Sequence, residues 1–123
     1  MLPMDNNAVK HSEVRIRIGL NEEKKPVSIE WEAEDQPEGK HFQPCKAFLL
    51  SLFDGGTKET LRMDLWTQDT QVVEMDRMMY HTIRGLADTY FKATNNRDMA
   101  VAMQQFAQYF GEKTEIIPPL PKP

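Results

Sequence analysis

The sequence predicts an α+β domain: a four-stranded antiparallel sheet of two hairpins, followed by two C-terminal helices packed on one face. Three observations carry that expectation. Apolar residues alternate at the strand period of two in four segments between Glu13 and Trp66. From about Thr70 onward the apolar period lengthens to that of a helix, and it holds over two stretches. Turn-forming residues punctuate the segments, and 123 residues suffice for one domain with its own core.

Met1 to His11 are polar and are expected to form a flexible N-terminal segment, residues 1–11. Val14, Ile16, Ile18 and Leu20 then alternate with Arg15, Arg17 and Gly19, which predicts a half-buried strand. Asn21 to Pro26 is a charged turn. A second strand follows, with Val27, Ile29, Trp31 and Ala33 on one face and Ser28, Glu30 and Glu32 on the other. Arginines on the first strand and glutamates on the second predict an antiparallel pair. Each cross-strand pair would contribute about 0.2–1 kcal/mol and help set the register. A solvated hairpin face explains those charges better than a binding site does.

Asp35 to Pro44 contains Gly39, Pro37 and Pro44 and is read as a loop between hairpins. The second hairpin begins with the apolar run from Cys45 to Asp54, turns at Asp54-Gly55-Gly56-Thr57, and returns. On its return strand Leu61, Met63 and Leu65 alternate with Arg62, Asp64 and Trp66. The first helix is expected from about Thr70 to Thr94, capped by Thr70, with a stripe of Met75, Met79, Thr82, Ile83, Leu86, Tyr90 and Ala93. The second starts near Asn96. Its stripe is Met99, Ala102, Met103, Phe106 and Phe110, and Gly111 is read as its end. Residues 12–115 thus form a single domain, and 116–123, IIPPLPKP, a Pro-rich tail. The PxxP pattern at Pro118–Pro121 is common by chance, so the tail is read as an extension with Ile116 and Ile117 resting on the body.

Charge and composition exclude several classes of partner. Net charge is −4, from 19 acidic and 15 basic side chains, and no basic run exceeds Lys24-Lys25. A nucleic-acid partner is not expected, because phosphate neutralisation needs concentrated Lys and Arg. Membrane insertion is not expected either: the longest apolar run, Ala47 to Phe53, is far too short to span a bilayer. MLPMDNNAVKHS lacks the basic and apolar regions of a secretory signal, and Cys45 is the one cysteine, so a cytoplasmic location is expected.

No residue recommends itself for catalysis. His11, His41 and His81 stand far apart in sequence, and no metal-ligand spacing joins them to Cys45. Cys45 precedes an apolar strand and reads as a buried structural thiol. Asp54, Asp64, Asp69, Glu74 and Asp76 cluster in sequence but not at calcium-loop spacing. Asp54 is expected to make turn hydrogen bonds, and Glu74 to meet the first helix's dipole. Gly55-Gly56 is turn glycine, without a phosphate-binding motif. The expectation is a non-enzyme with no cofactor and no metal.

The order of "IEWEAED", "KAFLLSLFD", "TLRMDLWT", "VVEM" and "ADTYFKAT" resembles the gliding motility-associated protein C (GldC) family over roughly Ser12 to Glu115. The resemblance implies an accessory part in bacterial gliding motility and a protein partner within that machinery. It implies no catalytic or ligand residues. Gln71-Val72-Val73 departs from the family pattern, in which a small polar cap and an acidic residue precede "EM".

Two apolar features point to an interaction surface. The strand from Ala47 to Phe53 is apolar on both faces and calls for cover on both. Phe48, Leu50 and Leu52, with Leu61, Met63 and Leu65, are assigned to the core, which leaves Leu49, Phe53 and Trp66 as an outer patch. On the first helix Val73, Tyr80, Ala87 and Thr94 recur every seven residues with Phe91 beside them, the pattern of a helix–helix seam. The second helix of the same chain is the favoured cover for it. Gly85 suggests close backbone packing within that helix. The candidate partner-binding residues are therefore Leu49, Phe53, Trp66, Val73, Tyr80 and Phe91, on a protein expected to be a homo-oligomer. Two other classes compete. Four strands and two helices is also the element order of the SecB-type export chaperone, which binds unfolded clients. A small-molecule binder would need a closed pocket with convergent polar groups.

Overall fold

A computed structural model describes residues 7–39 and 41–121. Part of the expected N-terminal segment, residues 1–6, and the end of the tail, Lys122 and Pro123, lie outside the described residues. The chain divides into two compact units, Met1–Thr70 and Gln71–Pro123. The first carries β1 (Val14–Leu20), β2 (Pro26–Ala33), β3 (Gln43–Cys45), β4 (Ala47–Phe53) and β5 (Thr60–Trp66). The second carries α1 (Val72–Thr94) and α2 (Arg97–Lys113).

The α+β class stands, but the single four-stranded sheet does not. The strands form a three-stranded antiparallel sheet in the order β1-β2-β3 and a separate two-stranded sheet, β4-β5. The segment read as a loop to Pro44 ends in the short strand β3, where Ile29 pairs with Cys45 and Trp31 with Gln43. Lys46 then divides β3 from β4, and its carbonyl accepts from Thr67 N (2.8 Å) in line with the β4–β5 ladder. The backbone changes partner at Lys46, so one continuous run of sequence serves two sheets.

The first hairpin follows the charge pattern. Arg15 lies opposite Glu32 and Arg17 opposite Glu30, with Arg17 Nη2 3.2 Å from Glu30 Oε1. The opposite face carries Ile29, which is fully buried, flanked by Ile18 and Cys45. Asn21 builds the turn: its Oδ1 accepts from the backbone of Glu23 (2.9 Å) and Lys25 (3.0 Å), which accommodates Lys24 at a positive φ of 63°. In the second hairpin Asp54 Oδ1 accepts from Gly56 N (2.7 Å) and Thr57 N (3.1 Å), the turn role expected of it.

In the second unit the helices meet through small residues. Ala87 on α1 and Ala100, Ala107 and Gly111 on α2 are buried, together with Tyr80. The seven-residue seam of α1 is therefore covered by the chain's own α2, through Tyr80 and Ala87. Three readings of the helices need correction. Helix α1 starts after Gln71 rather than Thr70, because the Thr70 hydroxyl is engaged by Thr67 Oγ1 (3.0 Å) and Glu74 reaches back to Gln71 N (2.9 Å). Gly111 does not end α2; the helix runs to Lys113, and the left-handed residue after it is Glu115 (φ 63°). Gly85 is exposed, and a Cβ there would meet nothing within 4 Å, so close packing does not explain it. Asn96 caps α2 as expected, accepting from Met99 N at 3.2 Å.

Candidate functional site

The β4–β5 register sorts the second hairpin into two faces. Phe48, Leu50 and Leu52 lie opposite Leu65, Met63 and Leu61, so one face is entirely apolar. The sequence assigns that face to the core, yet Leu52, Leu61 and Met63 are 52%, 62% and 47% exposed. The other face pairs Ala47 with Trp66, Leu49 with Asp64, Ser51 with Arg62, and Phe53 with Thr60.

On that second face the expected patch is divided. Phe53 stands at the turn end of the hairpin and Trp66 at the opposite end, about 20 Å apart along the strands. Between them sits a charged pair. Arg62 Nη2 reaches Asp64 Oδ1 at 2.7 Å and Nε reaches Oδ2 at 3.0 Å, and the same guanidinium touches the Ser51 hydroxyl. Leu49 is half-buried beside this pair, while Phe53 (67%) and Trp66 (52%) are exposed. Trp66 also borders a cavity of about 250 Å³ lined by Lys25, Pro26, Asp64, Leu65 and Gln68, where β2 begins.

The helical candidates separate in the same way. Tyr80 is 6% exposed and lies in the α1–α2 seam, so the chain itself occupies it. Val73 is exposed. Phe91 is half-buried, with the Arg97 guanidinium 5.4 Å above its ring. Pattern reading missed a second flank of this helix pair. Because the seam consists of small residues, the large apolar stripes fall beside it rather than in it. Helical geometry places Met79, Ile83, Leu86 and Tyr90 of α1 on the same flank as Met99, Met103, Phe106 and Phe110 of α2. Leu86, Met99 and Phe106 on that flank are exposed. Residue size carried the missing signal: the heptad Ala100–Ala107 with Gly111 marks close helix approach, where hydrophobicity alone favours Met99 and Phe106.

The opposite flank is polar. A groove of about 310 Å³ runs between Tyr80, Arg84 and Asp88 of α1 and Gln104, Ala107 and Gln108 of α2, with Arg84, Asp88 and Gln104 exposed along it. Among the described residues no three His, Cys, Asp or Glu side chains converge as a metal site would require. Cys45 is a free, half-buried thiol in β3. Among the described residues no helix is long and apolar enough to cross a membrane. One acid is displaced from its ordinary value. Thr67 Oγ1, buried, donates to Asp69 Oδ1 at 2.6 Å, and with Lys46 Nζ 3.8 Å from Oδ2 this holds the Asp69 carboxyl below the usual carboxylate range. The cluster fastens the end of β5.

A model of the gliding motility-associated GldC-like family matches residues 26–116, from the first residue of β2 to the turn beyond α2. No curated protein and no solved structure matches the chain.

Proposed function

The chain belongs to the gliding motility-associated GldC-like family, and on that premise we propose that it is a non-catalytic, cytoplasmic interaction protein with an accessory part in gliding. The observation that supports this best is the quantity of large apolar side chain at the surface of each unit. Leu52, Leu61 and Met63 stand on an all-apolar strand face, and Leu86, Met99 and Phe106 on one flank of the helix pair. Large apolar side chains gathered on one face of a unit are the signature of a surface that another chain covers. A homo-oligomer covers part of it, and a component of the gliding machinery takes the remainder.

The test is a deletion strain of a gliding host, complemented with variants and scored for colony spreading and for proteins captured by the chain. Wild type should restore spreading and capture one partner. Leu86→Asp with Phe106→Asp, on the helix flank, should fold and fail in both. Spreading that is normal without the gene would refute the accessory role.

The same exposed apolar flank supports a second reading, a chaperone that holds unfolded clients. That reading expects many unrelated captured proteins and suppression of aggregation of an unfolded test protein, with little sensitivity to single substitutions.

A further inference from the structure

We propose that β5 is a self-pairing edge: two copies of the chain join antiparallel along β5, about a two-fold axis at Met63. The inference gives a surface and a register to the homo-oligomer in the reading above, and it rests on that part of it.

The hydrogen-bond directions define the free edge. Thr67 N donates to Lys46 O, toward β4, whereas Gln68 N donates to Pro26 O, away from β4. Successive residues of a strand point their backbone groups to alternate sides, so Leu61, Met63 and Leu65 bond β4 while Arg62 and Asp64 direct theirs outward. Among the described residues β5 has no strand neighbour but β4. At its far end the edge meets the start of β2: Gln68 N donates to Pro26 O at 3.0 Å, and Lys25 and Pro26 line a cavity together with Asp64, Leu65 and Trp66. A two-stranded sheet with one apolar face is marginal alone and gains from further strands.

The side chains then choose the occupant. In an antiparallel pairing about Met63, Arg62 lies opposite the second copy's Asp64, and Asp64 opposite its Arg62. Both are residues whose backbone groups point outward, so the ladder can form in this register and not in one shifted by a single residue. Arg62 and Asp64 already bind each other along the strand. Pairing closes the two copies into a ring of four alternating charges. On the opposite face Met63 meets Met63, and Leu61 meets Leu65, which joins the two all-apolar faces into one. The other long edge, β1, behaves in the opposite way. Any two-fold pairing centred on Ile16 or Arg17 places arginine against arginine, a charge pattern that blocks self-association.

Mixing two charge variants tests the register. In Arg62→Asp both paired positions are acidic, and in Asp64→Arg both are basic. Each variant alone should dissociate at least about tenfold more readily than wild type in sedimentation equilibrium, and an equimolar mixture should regain wild-type association. Regained association also shows that both variants fold. Independently, Met63→Cys in a Cys45→Ser background should form an intermolecular disulfide on mild oxidation, while Leu52→Cys in that background should not. A wild-type dimer that both charge variants leave intact would overturn the β5 interface and spare the homo-oligomer. A wild-type chain that stays monomeric at high concentration would overturn both.

Discussion

Replacing Gly111 by alanine should destabilise the helix pair, although alanine is the better helix former. At an exposed position inside a helix the exchange stabilises by about 1 kcal/mol. Gly111 is not exposed. A Cβ built there would stand 2.7 Å from Tyr80 Cε1, 2.8 Å from Tyr80 Cδ1 and 2.8 Å from Ile117 Cγ1. Carbon atoms in ordinary contact are about 3.5–4.0 Å apart, so the added methyl overlaps the ring by nearly 1 Å. Tyr80 is buried in the seam and cannot swing aside without opening it. Overpacking of this kind costs about 1–3 kcal/mol against a propensity gain of about 1 kcal/mol, which leaves a net loss of up to about 2 kcal/mol. Gly85→Ala is the matched control, since nothing lies within 4 Å of its new methyl; it should gain about 0.5–1 kcal/mol. Urea unfolding followed by circular dichroism at 222 nm reads the helices, and the two midpoints should move in opposite directions. If Gly111→Ala is as stable as Gly85→Ala, the seam is looser than described and the reasoning fails.

Substitutions at three further sites test local structure. Asp54→Ala removes the acceptor for Gly56 N and Thr57 N and should cost about 1 kcal/mol, read by tryptophan fluorescence because Trp31 and Trp66 both lie in the strand unit; Asp54→Asn should retain most of the stability. Asn95 holds the left-handed position after α1 (φ 59°), so Asn95→Ala should cost about 1 kcal/mol by thermal melting and Asn95→Gly close to nothing. Asp69 contributes stability above its ordinary pKa of 3.8, and that contribution fades as pH falls through its lowered folded value. A carboxyl-carbon NMR titration should find Asp69 below 3.8 in the wild type, and Thr67→Val, which removes the largest cause, should move it upward.

The sequence made the elements legible wherever a side-chain period and a charge pattern agree. Arg15 and Arg17 against Glu32 and Glu30 set the first register, and the all-apolar set from Phe48 to Leu65 follows from alternation alone. What alternation does not contain is a change of partner. Lys46 interrupts a run that reads as one strand, and a three-residue β3 containing Pro44 leaves too little pattern to separate from a loop. The exposure of Phe53, Trp66 and Val73 was legible in the sequence, but the burial of Tyr80 and the layout of the surface were not. Phe53 and Trp66 are exposed, yet the register places Arg62 and Asp64 between them. On α2 hydrophobicity favours Met99 and Phe106, while helix approach favours Ala100, Ala107 and Gly111; size decides between them. Pattern alone reads the two helix glycines in reverse, because a glycine's reason lies in its neighbours and not in its position.

The segment after α2 has a practical consequence for anyone handling this protein. Ile116 N and Ile117 N both donate to the Gly111 carbonyl (2.9 and 3.2 Å), and Leu120 N donates to Glu112 Oε1 at 3.3 Å. With Ile117 against Gly111, this stretch serves as a lid on the last turn of α2. Cutting the chain at Glu115 would leave the Gly111 carbonyl with only the long bond from Thr114 Oγ1 (3.4 Å) and would remove Ile117 from the last turn of α2. Truncations that reach Ile117 would therefore report damage to the helix pair before they reported anything about the prolines.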